Sequence, residues 1–173
     1  FTDCVFDGNH SRYRGGIFGL NESARLKMDN CVVKNNYAAS GGMIQCGKNS
    51  MVFLNRVVFY NNYTESNNGW GVNIDSGDAN ICMNNVTSFD NHCTNATPGN
   101  CVSFNSDGGW LITNSTIIDR TPLAAVRGNA NSRKVTVCNN IILNESTADN
   151  VFVLKVAGNY NDLGHNLLSF TAS

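Results

Sequence analysis

The stretch Asn55-Arg56-Val57-Val58-Phe59-Tyr60-Asn61-Asn62 is the clearest copy of a phrase that recurs along the whole chain. The phrase is an asparagine, a short apolar run that ends in a large side chain, and a second polar turn rich in asparagine. We call the large side chain the anchor, and the seven anchors are Phe6, Val33, Phe59, Phe89, Ile118, Leu143 and Phe170. A period of about 27 residues kept over a whole chain is typical of a solenoid, in which each unit buries its apolar face by stacking on the next.

Two further apolar segments accompany the anchor strand in each repeat. One follows the anchor by about ten residues, as in Gly42-Met43-Ile44, and the other precedes the next phrase, as in Met51-Val52-Phe53-Leu54. Many of these segments alternate apolar and polar residues, as half-buried strands do, and no stretch shows the 3.6-residue period of a helix. The pattern predicts an all-β fold, a parallel β-helix of about six turns with three short strands per turn. Asparagine tolerates left-handed backbone conformations, so we expect asparagine ladders between turns.

Composition limits the classes of protein to which this chain can belong. The 173 residues are 42% hydrophobic and no charge run or linker divides them, which predicts a single β-helix domain over residues 1–173. The net charge of −1, with 14% charged residues, excludes the basic surface expected of a nucleic-acid-binding protein. No apolar run reaches the ~18 residues that a membrane-spanning helix needs. We expect no nucleic-acid partner, no membrane span and no cofactor.

Paired motifs in the first turns resemble those of a known family. They are Phe6-Asp7-Gly8-Asn9 with Gly15-Gly16-Ile17, Val33-Lys34-Asn35-Asn36 with Gly41-Gly42-Met43-Ile44, and Phe59-Tyr60-Asn61-Asn62 with Gly69-Trp70-Gly71-Val72. These pairs are similar to the FxxN and GGAI repeats of polymorphic outer membrane proteins, within the broader group of pectin-lyase-like β-helix proteins. The resemblance covers the first two or three turns. It implies a right-handed, secreted or surface-exposed solenoid that serves as an adhesin or passenger segment or, in some members, cleaves polysaccharides.

The seven cysteines lack the CxxC and CxxxxH spacings of zinc sites, which leaves disulfides or buried thiols as the alternatives. Cys4 and Cys31 each precede an anchor by two residues. Stacked turns would hold their Cα atoms about 4.8 Å apart, within the range that a disulfide allows. Cys93 and Cys101 form a second candidate pair that would close a local loop. Small buried hydrophobic residues in a ladder are the competing interpretation.

Seven Asn-x-Ser/Thr sequons predict surface loops of a secreted glycoprotein. The candidate glycosylation sites are Asn9, Asn21, Asn62, Asn85, Asn95, Asn114 and Asn144. Together with the family resemblance, these sequons favour an extracellular or cell-surface location.

An enzymatic alternative depends on Asp90 and Asp119, which each follow an anchor directly and are expected side by side on adjacent turns. Paired carboxylates bind calcium or act as acid and base on a sugar chain, as in a polysaccharide lyase or glycoside hydrolase. The Gly-His-Gly and Arg-Ile-Lys motifs of polygalacturonase-like enzymes are absent from the sequence. Trp70 and Trp110 are candidate platforms for a glycan, because an aromatic face suits a pyranose ring.

The histidines offer no comparable pattern. His10, His92 and His165 occupy different places in the predicted repeat, so no catalytic triad or metal site is expected from them.

Two observations favour assembly over catalysis. If each anchor and the residue two before it point inward, an apolar stripe points outward, interrupted by Ser88: Val5, Val32, Val58, Ile117 and Ile142. The chain also begins and stops within phrases, without the polar caps that the terminal turns of a solenoid need. We therefore expect an extracellular, non-catalytic structural or adhesive module, uncapped at both ends, that self-associates laterally or head to tail as a subunit or segment of a surface fibre. The alternative is a carbohydrate-active enzyme or a glycan-binding module.

Overall fold

A computed structural model describes residues 1–65, 71–76, 78–93, 102–106, 108–120, 124–128, 134–145, 152–156 and 159–170. The regular structure of these ranges consists of strands. A helix long and apolar enough to cross a membrane does not occur within them. The prediction of an all-β solenoid is confirmed.

The strands are short, apart from two of ten residues. In chain order they are β1 Val5–Asp7, β2 His10–Ser11, β3 Phe18–Leu20, β4 Arg25–Lys34, β5 Tyr37–Ala38, β6 Ile44–Cys46, β7 Met51–Tyr60, β8 Tyr63–Thr64, β9 Gly71–Ser76, β10 Asn80–Asn84, β11 Thr87–Phe89, β12 His92–Cys93, β13 Val102–Ser106, β14 Gly109–Thr113, β15 Thr116–Asp119, β16 Ala124–Gly128, β17 Lys134–Cys138, β18 Ile141–Asn144, β19 Phe152–Val156, β20 Tyr160–Asp162 and β21 Leu167–Phe170.

These strands form three parallel sheets, of eleven, four and six strands, that stack as a β-solenoid of about five turns. The period in the sequence predicted about six turns, which is close. Each turn adds one rung to each sheet, so residues one repeat apart lie side by side. The four-stranded sheet, made of β2, β5, β8 and β12, is a short segment that the predicted three strands per turn did not include.

The eleven-stranded sheet bends along a column of left-handed residues. The long strands β4 and β7 run through this bend at Asn30 (φ 51°) and Arg56 (φ 53°). The equivalent residues on the other rungs are Asp3, Asn85, Asn114, Asn139 and His165, all with positive φ. Asparagine prevails in this column because it adopts the left-handed conformation more readily than other residues with side chains.

The bend divides the sheet into two limbs. The first limb comprises residues 25–29, 51–55, 80–84, 109–113, 134–138 and 160–162. The second limb comprises residues 5–7, 31–34, 57–60, 87–89, 116–119, 141–144 and 167–170. Each limb has an inner surface that faces the core and an outer surface.

The register of the second limb corrects four predicted anchors. Phe59 pairs with Ser88 rather than with Phe89, and Ser88 pairs in turn with Ile117. Ile117 pairs with Ile142, and Ile142 pairs with Leu168. The anchors predicted at Phe89, Ile118 and Leu143 are therefore wrong, and each lies one residue after the position that points inward. At the last rung, Leu168 occupies the register position predicted for Phe170.

The core is built from inward columns of both limbs and of the six-stranded sheet. Val33, Phe59, Ile117 and Ile142 of the second limb have no exposed surface. First-limb residues such as Leu54 and Met83 pack against them, together with Ile44 and Ile74 of the six-stranded sheet. Because the buried residues of this one cluster run from Leu26 to Ile142, the rungs between them stabilise each other in series.

Buried asparagines form a ladder at the corner after the second limb. Asn36 Nδ2 donates to Asn62 Oδ1 (3.0 Å), and Asn62 Nδ2 donates to Asn91 Oδ1 (3.0 Å) and to the carbonyl oxygen of Val33 (2.9 Å). Asn62 Oδ1 also accepts from the backbone nitrogen of Asn36 (3.2 Å). These contacts satisfy both ends of the Asn62 amide, which allows a polar side chain with no exposed surface to lie in this position.

A second, more exposed ladder runs beside the bend and ends on a carboxylate. Asn139, Asn114, Asn84 and Asn55 each donate an amide hydrogen to the residue one rung earlier, at 2.7–2.8 Å, and Asp29 Oδ1 accepts the last of these bonds. An aspartate suits the final position because it only accepts hydrogen bonds when ionised. The predicted ladders between turns are thus present.

The glycine pairs of the GGxI motif lie where side chains do not fit. Gly15 and Gly41 have positive φ values of 73° and 59°. A Cβ atom on Gly16 would lie 2.8 Å from the sulfur of Met43 and 3.1 Å from the carbonyl oxygen of Tyr37. The motif therefore allows close packing of successive turns at this corner.

Candidate interaction surface

The outer surface of the second limb carries two neighbouring columns of mostly apolar side chains, which we call the apolar face. The first column is Val5, Val32, Val58, Thr87, Thr116, Ile141 and Leu167. The second column is Asp7, Lys34, Tyr60, Phe89, Ile118 and Leu143. The most exposed apolar members are Val5 (63%), Leu167 (57%) and Ile141 (42%).

The predicted assembly stripe is correct in part. Val5, Val32 and Val58 lie on the outer surface as expected, with Val32 and Val58 half-buried. Ile117 and Ile142 are fully buried and belong to the inward column, so their predicted outward orientation is wrong. The cause is the one-residue change of register after Phe59, which places Ile118 and Ile141 on the outer surface instead.

Charge and aromatic contacts are concentrated toward the N-terminal end of the apolar face. Lys34 Nζ lies 3.3 Å from Asp7 Oδ2. A hydrogen bond from Asn35 and the neighbouring ammonium of Lys34 lower the pKa of Asp7. Tyr60 and Phe89 stack in parallel on adjacent rungs, with ring centroids 5.3 Å apart and an interplanar angle of 6°. The second column thus changes along the solenoid axis from charged to aromatic to aliphatic.

Asp90 and Asp119 do not form the predicted carboxylate pair. Asp90 is exposed, with a left-handed backbone (φ 49°), and its Oδ1 accepts from Arg120 Nη1 at 3.0 Å. Asp119 is 2% exposed and shares its strand position with the buried Asn144. Arg120 also contacts Glu145 Oε2 at 3.1 Å, so this cluster is a surface ion network across three rungs. Since one carboxylate faces solvent and the other the interior, they cannot act together on one sugar.

Of the two predicted aromatic platforms, the structure describes Trp110, and its ring is not available to a glycan. Trp110 is 3% exposed and belongs to the core, so it offers no open ring face. Trp70 lies outside the described residues.

The histidine prediction needs one correction. His10 and His92 share a column of the four-stranded sheet, with Tyr37 and Tyr63 between them. The rings of His10 and Tyr37 are 4.2 Å apart, and those of Tyr37 and Tyr63 are 5.5 Å apart. His10 and His92 have equivalent positions because the inward residue of the His92 rung is Ser88 and not Phe89. His165 belongs to the left-handed column at the bend.

Cys4 and Cys31 lie on adjacent rungs as predicted, but they are thiols and not a disulfide. The Cys4 Sγ donates to the carbonyl oxygen of Thr2 (3.1 Å), and the Cys31 Sγ donates to that of Asp29 (3.3 Å). Parallel side chains on adjacent rungs keep Cβ atoms about 4.8 Å apart, which exceeds the roughly 3.5–4.5 Å of a disulfide. Cys93 is a thiol as well, and its predicted partner Cys101 lies outside the described residues.

The sequons fall into two structural classes. Asn62 and Asn144 have no exposed surface, so the prediction that they mark surface loops is wrong. Asn9, Asn21, Asn85 and Asn114 are exposed, although the Asn114 amide is used in the ladder beside the bend. Asn95 lies outside the described residues.

Clusters of three or more His, Cys, Asp or Glu side chains arranged for a metal ion do not occur in the described part of the chain. No family model, curated protein or solved structure matches this chain.

Proposed function

We propose that this chain is a non-catalytic structural or adhesive module of an extracellular surface assembly, and that copies associate laterally through the apolar face. The observation that carries the proposal is one outward column in which Tyr60, Phe89, Ile118 and Leu143 follow one another on successive rungs, each of them half-buried. Strands that are apolar on both surfaces are normally covered on both, because exposed apolar side chains remain in unfavourable contact with water.

The size of the face predicts how strong such a contact is. Seven rungs at about 4.8 Å and about four residues per strand at 3.3 Å give a projected area of about 400 Å². A standard protein complex buries roughly 800 Å² per partner. One contact through this face is therefore weak, and stable assembly requires several contacts at once or a high local concentration.

Two sequence features support the extracellular part of the proposal. Four sequons are exposed, and the FxxN and GGxI motifs resemble repeats of polymorphic outer membrane proteins within the pectin-lyase-like group. The paired glycines of that motif have a clear packing role in this fold, as Gly16 shows. The enzymatic alternative loses its support, because Asp90 and Asp119 are directed to different environments.

Sedimentation velocity over a wide concentration range tests the lateral association. The wild-type chain is expected to form larger species as concentration rises, and Ile118→Asp is expected to remain monomeric while keeping its β-sheet circular dichroism spectrum. Tyr13→Asp is the matched control, because Tyr13 is 81% exposed outside the apolar face. Equal association of all three proteins would contradict the proposal, as would a monomeric wild-type chain at the highest concentration.

A further inference from the structure

The outer surface of the first limb holds a groove that the apolar face does not include. Its floor is the Cys82 side chain and the backbone at Gly109, and it has a volume of about 310 Å³. Phe53 and Leu111 lie on the rungs before and after Cys82, in the same outward column. They are 42% and 40% exposed, so they rise as two apolar walls with the shorter Cys82 side chain between them.

Because Gly109 has no side chain, the groove is open toward the adjacent outward column. In that column Gly109 lies between Asn80 and Lys134, and Met51 lies one rung before Asn80. A Cβ atom on Gly109 would be 3.1 Å from Asn80 Oδ1 and 3.8 Å from the carbonyl oxygen of Lys134, and the φ of Gly109 is not in the left-handed region. The backbone conformation therefore allows a side chain at this position, provided that the Asn80 amide, which accepts a hydrogen bond from the Gly109 nitrogen (3.2 Å), shifts by a few tenths of an ångström. A large side chain would fill the groove.

Positively charged side chains lie at both ends of this groove. Lys134 lines the groove at its C-terminal end, while Arg25 and Lys27 pair with Met51 and Phe53 at its N-terminal end. All three cations are exposed. None of them has an ion-pair partner among the residues that the structure describes. An anionic ligand would thus gain charge pairing without first breaking an existing ion pair.

We infer that this groove binds an extended acidic peptide segment, with one apolar side chain between Phe53 and Leu111 and a carboxylate near each cationic end. The spacing sets the length of the segment. Four rung steps separate Lys27 from Thr136, which lies two residues after Lys134 on the same strand. At 4.8 Å per rung, these four steps span about 19 Å. An extended peptide covers that distance in about six residues at 3.3 Å per residue. The expected motif is an acidic residue, a central apolar residue and a second acidic residue, over six or seven positions.

The position of Cys82 provides a direct readout of occupancy. A bound peptide covers the floor of the groove, so it is expected to slow alkylation of the Cys82 thiol while leaving the rates at cysteines elsewhere unchanged. The rates are measured by peptide mapping of the wild-type chain at a concentration where it is monomeric. The probe is a synthetic seven-residue peptide with glutamate at both ends, leucine at the centre and serine between. Matched peptides carry lysine at both ends or glycine at the centre.

Two variants and one control locate the binding. Gly109→Leu fills the groove, and Lys134→Glu reverses the charge at its end. Each is expected to weaken binding of the acidic peptide at least tenfold and to remove the protection of Cys82. Lys48→Glu changes the net charge equally at an exposed site outside the groove and is expected to bind like the wild type. Unfolding midpoints close to that of the wild type establish that each variant is folded.

Several outcomes would overturn the inference. They are equal binding of the lysine and glutamate peptides, protection of Cys82 by neither peptide, or unchanged affinity in both groove variants. Anionic lipid vesicles and a single-stranded oligonucleotide are tested in parallel, because both carry negative charge without a peptide backbone. If either of them protects Cys82 and the acidic peptide does not, the ligand class is wrong. The site lies on the opposite side of the bend from the apolar face, so this test is independent of self-association.

Discussion

Ser88 lies beside Phe59 in the inward column of the second limb, and the larger Phe89 points outward. Ser88 has no exposed surface, and its Oγ accepts hydrogen bonds from Asn73 Nδ2 and Asn91 Nδ2, both at 3.1 Å. Phe89 instead stacks on Tyr60 on the outer surface. A small polar residue thus occupies a core position because neighbouring amides satisfy it, and the register of all later rungs follows from this pairing.

Replacing Ser88 with alanine tests the polar contact inside the core. The variant leaves the Asn73 amide hydrogen without this acceptor, and we expect a loss of about 1–3 kcal/mol in the free energy of unfolding. Thr87→Ala on the outer surface is the control and is expected to change stability by about 0.5 kcal/mol or less. Urea unfolding monitored by circular dichroism measures both. Equal effects would show that Ser88 is not part of the core.

The buried ladder predicts that substitutions at two adjacent asparagines change the free energy of unfolding by different amounts. Asn62→Ala removes hydrogen-bond partners from Asn36, Asn91 and the Val33 carbonyl group, all of them buried, and we expect a loss of about 3 kcal/mol or more. Asn61→Gly is the control, because Asn61 is exposed with φ 51° and glycine adopts this conformation readily. We expect this control to change stability by about 1 kcal/mol or less. Comparable losses in the two variants would contradict the ladder as a source of stability.

Much of this architecture was predictable from the sequence, because the period and the asparagine content both arise from the geometry of the turns. The left-handed column at the bend explains why Asn30, Asn85, Asn114 and Asn139 recur. The glycine pairs likewise report a steric requirement. Strand number was harder to predict, since a segment as short as Tyr37–Ala38 has no alternation to detect.

The register after Phe59 was not predictable by counting from the clearest repeat. In that repeat the left-handed position is Arg56, one residue after Asn55, whereas four of the other rungs have asparagine there. Asn55 pairs with Asn84 in the structure, whereas the repeat in the sequence aligns Asn55 with the neighbouring Asn85. Hydrophobicity then favoured Phe89 over Ser88 as the anchor. The outward stripe, the Asp90–Asp119 pair and the position of His92 were all affected by this single shift.

The groove of the first limb was not visible in the sequence for a different reason. Its two walls, Phe53 and Leu111, are separated by more than a full turn of chain. Its opening, Gly109, falls in a different column. Only the pairing of β7, β10 and β14 brings them together.

Stability is expected to fall at alkaline pH because of Cys46. Burial, with a smaller effect of the nearby carboxylate of Asp75, raises the pKa of this thiol from 9.0 to about 12. The folded state therefore disfavours the thiolate, so the contribution is fully present below pH 9 and is lost as pH rises toward 12. Each pH unit in that window is expected to cost about 1.4 kcal/mol. Cys46→Ala removes this part of the slope, measured as unfolding free energy against pH. Identical slopes in the two proteins would contradict this assignment.

The register of the second limb is tested most directly by the unfolding free energies of Ile117→Asp and Ile118→Asp, measured side by side in urea. Ile117 is fully buried, so we expect its replacement by a charged residue to cost about 4 kcal/mol or more, or to prevent folding. Ile118 lies on the outer surface, and we expect its replacement to cost about 1 kcal/mol. A tolerated aspartate at position 117 together with a disruptive one at position 118 would contradict the register and remove the apolar face.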